Sequence, residues 1–162
     1  LLETFELLLP VEGTAGSALS DADRQAALAL VDEARALAEE KLGSKPQAFR
    51  YARRAFELDP AGDRRLAEVE RLAQESEDWS SLAAVYERLL ETRGAADELG
   101  LLRKALRLAH GKLQRKEDAR RFAERITALA PDDEEARAAL ESISQAEERW
   151  ADLLKLLHGR EE

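Results

Sequence analysis

Apolar residues recur along this chain three or four positions apart, with polar residues filling the gaps. In the stretch 21–41 they are Leu28, Leu30, Val31, Ala34, Leu37 and Ala38; in 46–58 they are Ala48, Tyr51, Ala52, Ala55 and Leu58. A third stripe (Leu66, Val69, Leu72, Ala73) and a fourth (Trp79, Leu82, Val85, Tyr86, Leu89) follow before residue 92. Such spacing lays the apolar groups on one face of a helix. The boundaries carry their own signals. Ser20 with Asp23 three residues on is a capping pair. Gly43 in "KLGS" suits the left-handed conformation that ends a helix. Pro46 falls in a first turn, where its missing N–H costs nothing. Pro60 closes the second helix, and "SED" at 76–78 turns the chain into the fourth.

The whole pattern returns 71 residues later. Residues 28–87 align with 99–158 without a gap, and twenty of the 60 positions are identical, where so biased a composition gives roughly six by chance. The identities include Leu30/Leu101, Leu37/Leu108, Ala48/Ala119, Ala52/Ala123, Leu58/Leu129, Pro60/Pro131, Trp79/Trp150 and Leu82/Leu153. Small and apolar residues dominate them, the types that set how closely helices approach. The chain is therefore an internal duplication kept for packing, and the second copy predicts helices at about 96–112, 116–129, 133–145 and 148–158. Trp79 and Trp150, the only two tryptophans, each open a fourth helix. There a large ring wedges the turn against the preceding helix. Their periodicity favours this structural role over a ligand-binding one.

Four helices in 71 residues make two hairpins of about 35 residues, the length of a helix–turn–helix solenoid repeat. The expected fold is all-α: a superhelix of antiparallel hairpins in two tandem units, 21–93 and 94–162, of four helices each. Leu1, Phe5 and Leu8 of "LLETFELLL" align with Leu82, Tyr86 and Leu89. Residues 1–9 are thus expected to be the last helix of a preceding repeat, and 10–20, with its Gly and Ser, a flexible loop. The chain begins without Met and reads as a piece of something longer.

Composition narrows the function. Charged residues make up 36% and aromatic residues 5%, and the prevalence of Ala, Leu, Glu and Arg agrees with an all-helical chain. With no cysteine there is no disulfide framework and no thiolate metal site, which favours a cytoplasmic setting. No run of 18 apolar residues is present, so no membrane insertion is expected. A net charge of −9 argues against nucleic acid. Basic residues nevertheless cluster from Arg103 to Arg125 (Arg103, Lys104, Arg107, Lys112, Arg115, Lys116, Arg120, Arg121, Arg125), as a solvated salt-bridged face or as a strip for an acidic partner. The two histidines, His110 and His158, fall at surface-type positions with no second ligand at i+4. There is no phosphate-cradling glycine loop and no nucleophile elbow. The reading is a protein with no catalysis, no metal and no cofactor.

"AFRYARRAFELDP" (48–60) and "ARRFAERITALAP" (119–131) resemble the second helix of a tetratricopeptide repeat: a small residue, an aromatic, another small residue, then proline. Ala48 and Ala119 match the family's first conserved alanine, and Pro60 and Pro131 its closing proline. Ala55 fits the second alanine, which Ile126 replaces in copy two, while Trp79 and Trp150 fall where the family usually carries tyrosine. The match is to a variant: Ala36, Glu70, Arg107 and Glu141 stand where a small glycine is usual in each first helix.

The resemblance implies a concave groove lined by the first helix of each hairpin. Its candidates are Leu30, Glu33 and Leu37, then Arg64, Ala67 and Arg71, then Leu101, Lys104 and Leu108, then Glu135, Ala138 and Ser142. Leu30, Leu37, Arg64, Arg71, Leu101, Lys104 and Leu108 carry the partner-binding expectation, for an extended or helical peptide with acidic residues. The family's carboxylate-clamping members use paired asparagines, and this chain has no Asn. The function implied is a protein–protein interaction scaffold. Two alternatives stand beside it: a structural module whose repeats stack end to end through self-association of the terminal helices, and a regulatory appendage of a larger protein.

Overall fold

The computed structural model describes residues 20–60, 63–92 and 98–158, with backbone alone at 63 and over 151–158. The expected helix 1–9 and nearly all of the loop 10–20 lie outside the described residues. Among those described, the regular structure is entirely helical. Two compact units divide the chain, Leu1–Leu82 and Ala83–Glu162.

Helix α1 (Asp21–Ala36) starts where the sequence places it. The Ser20 hydroxyl oxygen accepts from the Asp23 backbone N–H at 3.2 Å and donates to the Asp23 carboxylate at 2.6 Å. Ala27, Val31 and Ala34 are its buried stripe. The helix then widens into a π turn, Leu37–Lys41. Here the Leu42 N–H donates to the Leu37 carbonyl and the Ser44 N–H to the Ala38 carbonyl. Gly43 takes a φ of +61° with nothing near its missing Cβ, the left-handed cap expected of it. Helix α2 (Lys45–Leu58) carries Pro46 in its first turn and buries Ala48, Tyr51, Ala52, Ala55 and Leu58. It packs on α1 and on α3 (Asp63–Ser76).

The second unit repeats these bounds. Helix α5 (Glu98–Arg107) ends in a π turn, Leu108–Lys112, and α6 (Lys116–Leu129) follows, each of these later bounds 71 residues beyond its counterpart. The Leu113 and Arg115 N–H groups reach the Leu108 and Ala109 carbonyls, as Leu42 and Ser44 do in the first unit. Gln114 stands where Gly43 did and is held at a φ of +52°. Leu102, Leu106 and Ile126 are almost wholly buried here, each worth about 1.5–3 kcal/mol of transfer free energy.

The two copies part company at the fourth helix. In copy one, Glu77 adopts a φ of +56° and breaks the chain out of α3. The Asp78 carboxylate then accepts from the Ser81 N–H at 3.1 Å and the Ser81 hydroxyl at 2.8 Å, capping α4 (Trp79–Thr92). In copy two no turn forms: α7 is one helix of 25 residues, Glu134–His158, where the repeat predicts two, 133–145 and 148–158. The cause lies at position 149. Arg149 replaces the capping Asp78 and offers no acceptor, and Glu147, a strong helix former, replaces Ser76. The described part of copy two therefore has three helices rather than four.

Candidate functional site

In the first unit, α1 and α3 face each other across ion pairs. Arg65 reaches Asp32 at 3.1 Å and Asp59 at 3.2 Å, and Arg35 lies 2.8 Å from Glu68 and 3.1 Å from Glu39. Arg71 gathers three carboxylates: Glu68 at 2.7 Å, Glu39 at 2.8 Å and Glu75 at 2.6 Å. Lys45, from the start of α2, closes the cluster on Glu75 and Glu39. Hydrogen bonds donated to Glu68 and Glu39 push the Arg71 guanidinium well above its ordinary value. The same bonds from Arg71 hold the Glu39 and Glu68 carboxyls below theirs. Arg71, expected to offer its charge to an acidic partner, spends it inside the unit.

Copy two builds the same helix contact by other means. Arg35 and Glu68 correspond to Leu106 and Ala139, which are both buried, so an apolar pair stands where copy one has an ionic one. Asp32, a carboxylate on α1, corresponds to Arg103 on α5, which lies 2.7 Å from Asp133 just ahead of α7. The polarity of the contact is reversed. Asp133 also accepts from the Ala136 N–H at 2.9 Å. That backbone bond, seconded by Arg103, keeps its carboxyl below the usual range.

The predicted basic strip is largely compensated. Arg107 donates to both carboxylate oxygens of Glu135, at 2.6 and 2.8 Å, and depresses that carboxyl. Arg120 pairs with Glu147, Arg121 with Glu87 and Asp118, Arg125 with Glu98, and Arg115 with Asp118. The guanidiniums of Arg50 and Arg121 lie over the neighbouring rings of Tyr51 and Phe122, at 5.6 and 5.0 Å, in equivalent places of α2 and α6. This is the solvated, salt-bridged face rather than a band of unspent charge.

The expected groove residues separate by exposure. Leu101 (2%) and Leu108 (6%) are buried in the core and cannot line a surface. Their stripe on α5 also carries the packing against α6, so the periodicity that marked them for a groove marked them equally for the interior. Leu30 and Leu37 are half-buried, and Arg64 and Lys104 are exposed. Among the structural positions, Ala48, Ala119 and Leu82 are buried, Pro60 and Pro131 are exposed in turns, and Trp79 is half-buried. Trp150 is 62% exposed and wedges no turn, because copy two has none there. Among the described residues, no group of three or more His, Asp or Glu is arranged to hold a metal, and no helix is long and apolar enough to cross a membrane. No protein-family model matches the chain, and no curated protein matches it.

Proposed function

We propose that this chain is a protein–protein interaction scaffold, a tetratricopeptide-like solenoid of tandem helical hairpins that binds a partner on its surface rather than transforming a substrate. One observation carries the reading. Within each unit the principal packing joins helices consecutive in sequence, α1 with α2 and α2 with α3, then α5 with α6 and α6 with α7. Packing of that kind is what a solenoid requires, because each hairpin buries its apolar face only against its neighbours. The partner-binding positions that remain accessible are Leu30, Leu37, Arg64 and Lys104, an apolar and cationic set suited to a peptide with acidic residues.

The test is capture from native lysate by the chain and by an Arg64→Glu/Lys104→Glu variant with an unchanged helical circular dichroism spectrum. A partner held by the parent and lost by the variant supports the scaffold reading. Identical captures by both would remove these residues from the binding surface.

A second reading is a module that assembles with copies of itself, and a separate observation favours it. Leu129 (53%) and Trp150 (62%) are exposed, whereas their counterparts Leu58 (5%) and Trp79 are covered or partly covered.

A further inference from the structure

The two units seat their first helix by different means. In unit one the buried residues of α1 and its π turn are small: Ala27, Val31, Ala34 and Ala38. In unit two the counterparts of the last three are Leu102, Ala105 and Ala109, and Leu101, Leu106 and Leu108 are buried beside them. Leu30 and Leu37, which match two of those leucines, are only half-buried, and Arg35 stands in place of the third. A buried leucine carries much more transfer free energy than an alanine methyl. Helix α1 is therefore held on α2 by far less apolar burial than α5 is on α6.

Charge makes up the difference. Asp32, Arg35 and Glu39 follow one another along α1 and its π turn, and they pair in order with Arg65, Glu68 and Arg71 of α3, at 3.1, 2.8 and 2.8 Å. The sign alternates from rung to rung of this ladder, so a slip by one turn would set Asp32 against Glu68 and Arg35 against Arg71. Lys45, at the start of α2, ties Glu39 and Glu75 together beside the last rung. None of the three rungs survives in unit two, where the matching positions hold Arg103 and Ala136, Leu106 and Ala139, and His110 and Ser142. The pairs that unit two does form between these helices, Arg103 with Asp133 and Arg107 with Glu135, lie at the entry to α7.

We propose that α1 is a charge-latched helix: its ladder to α3 holds it on unit one, and in acid it detaches while the leucine-seated helices of unit two stay folded. The carboxylates of the latch are Asp32, Glu39 and Glu68, with Glu75 beside them. The groups that face them are Arg35 from α1, Arg65 and Arg71 from α3, and Lys45 and Asp59 from the two ends of α2. Hydrogen bonds from Arg71 hold the Glu39 and Glu68 carboxyls below their ordinary value. The latch is therefore complete near neutrality and is lost as the pH falls through those lowered values. An element with little buried apolar surface opens locally, ahead of global unfolding, once its polar contacts go.

The experiment is hydrogen exchange of the whole chain, read peptide by peptide by mass spectrometry at neutral pH and at about pH 3.5. Rates are expressed as protection factors, which removes the intrinsic pH dependence of exchange. On acidification α1 should lose protection by about tenfold, the size of a few part-exposed ion pairs, while α5 loses much less. Equal losses in α1 and α5, or an α1 that exchanges only when the whole chain does, would overturn the latch. Glu39→Gln/Glu68→Gln imitates the acid state and should leave α1 as poorly protected at neutral pH as the parent is in acid. Protection of α1 equal to the parent's in that variant would show that the ladder does not hold the helix. Arg35→Leu/Glu68→Ala gives the contact the apolar pair of unit two and should lose less of α1's protection in acid than the parent does; a loss as large as the parent's counts against the proposal even if the first variant fails to fold. Circular dichroism checks the folding of both.

Discussion

Gln114 is the residue where the duplication shows strain. Its counterpart Gly43 adopts the left-handed conformation freely, whereas Gln114 takes a φ of +52° with a Cβ to accommodate. A side chain in that region costs about 1–2 kcal/mol, partly offset by the greater chain entropy a glycine loses on folding. Gln114→Gly is therefore expected to stabilise the chain by about 0.5 kcal/mol, and Gly43→Ala to destabilise it by about 1 kcal/mol. Urea denaturation followed by circular dichroism measures both. The glycine was legible in the sequence. The strained glutamine was legible only once the 71-residue alignment set it beneath that glycine, because a glutamine in isolation carries no turn signal.

At the scale of elements, most helix bounds were readable, and the one serious departure has a local cause. Ser20, Gly43, Pro46, Pro60 and the tryptophan of α4 mark their ends as periodicity predicts. The unbroken α7 departs from the repeat because helix identity was inferred from matching apolar residues, while the break depends on one capping acceptor. Asp78→Ala removes that acceptor from α4 and should cost about 1 kcal/mol, measured as a lower urea midpoint. What the sequence hid was how α1 meets α3. Partners 33 residues apart, such as Arg35 and Glu68, leave no local trace, and Leu101 and Leu108 look alike whether they face a groove or a core. The duplicate supplies a direct comparison of the two chemistries. Arg35→Leu/Glu68→Ala installs copy two's apolar pair and is expected to be neutral or stabilising by about 1 kcal/mol, as when ionic pairs yield to well-packed apolar ones. Leu106→Arg places a charge in a fully buried site without its partner and should cost about 3 kcal/mol or more. Thermal unfolding of the two variants separates the outcomes.

Across the whole molecule, acid is the condition that reaches these contacts together. Glu39, Glu68, Asp133 and Glu135 all have folded pKa values below their ordinary ones, each through a hydrogen bond from an arginine or the backbone. A carboxyl of lowered pKa stabilises the fold fully above its unfolded value and less as the pH falls through the folded one. Stability should hold steady above about pH 5 and fall progressively below the ordinary glutamate value of 4.5. Melting temperature against pH tests this, and a Glu39→Gln/Glu68→Gln variant should show a shallower decline. A flat profile down to pH 3 would mean that the cluster around Arg71 adds nothing.

The reversed polarity of the two copies bears on how a duplicated chain finds its own helices. Tandem duplicates invite mispairing during folding, since either first helix offers a familiar face to either third helix. Here the wrong match is marked. Setting α1 against α7 brings Asp32 towards Asp133 and leaves Arg35 opposite Ala139; setting α5 against α3 brings Arg103 towards Arg65 and Leu106 against Glu68. Each error joins like charges or strands one, while each correct match does neither. Exchanging the charges as Arg103→Asp/Asp133→Arg erases the label but also removes the Asp133 acceptor of the Ala136 N–H, so its reference is Asp133→Ala, which loses cap and pair without reversing the charges; against that reference the exchange should lower the yield of rapid refolding from urea more than it lowers stability at equilibrium. Divergence between the copies then serves as an address, written in charge, that tells each helix which half of the chain it belongs to.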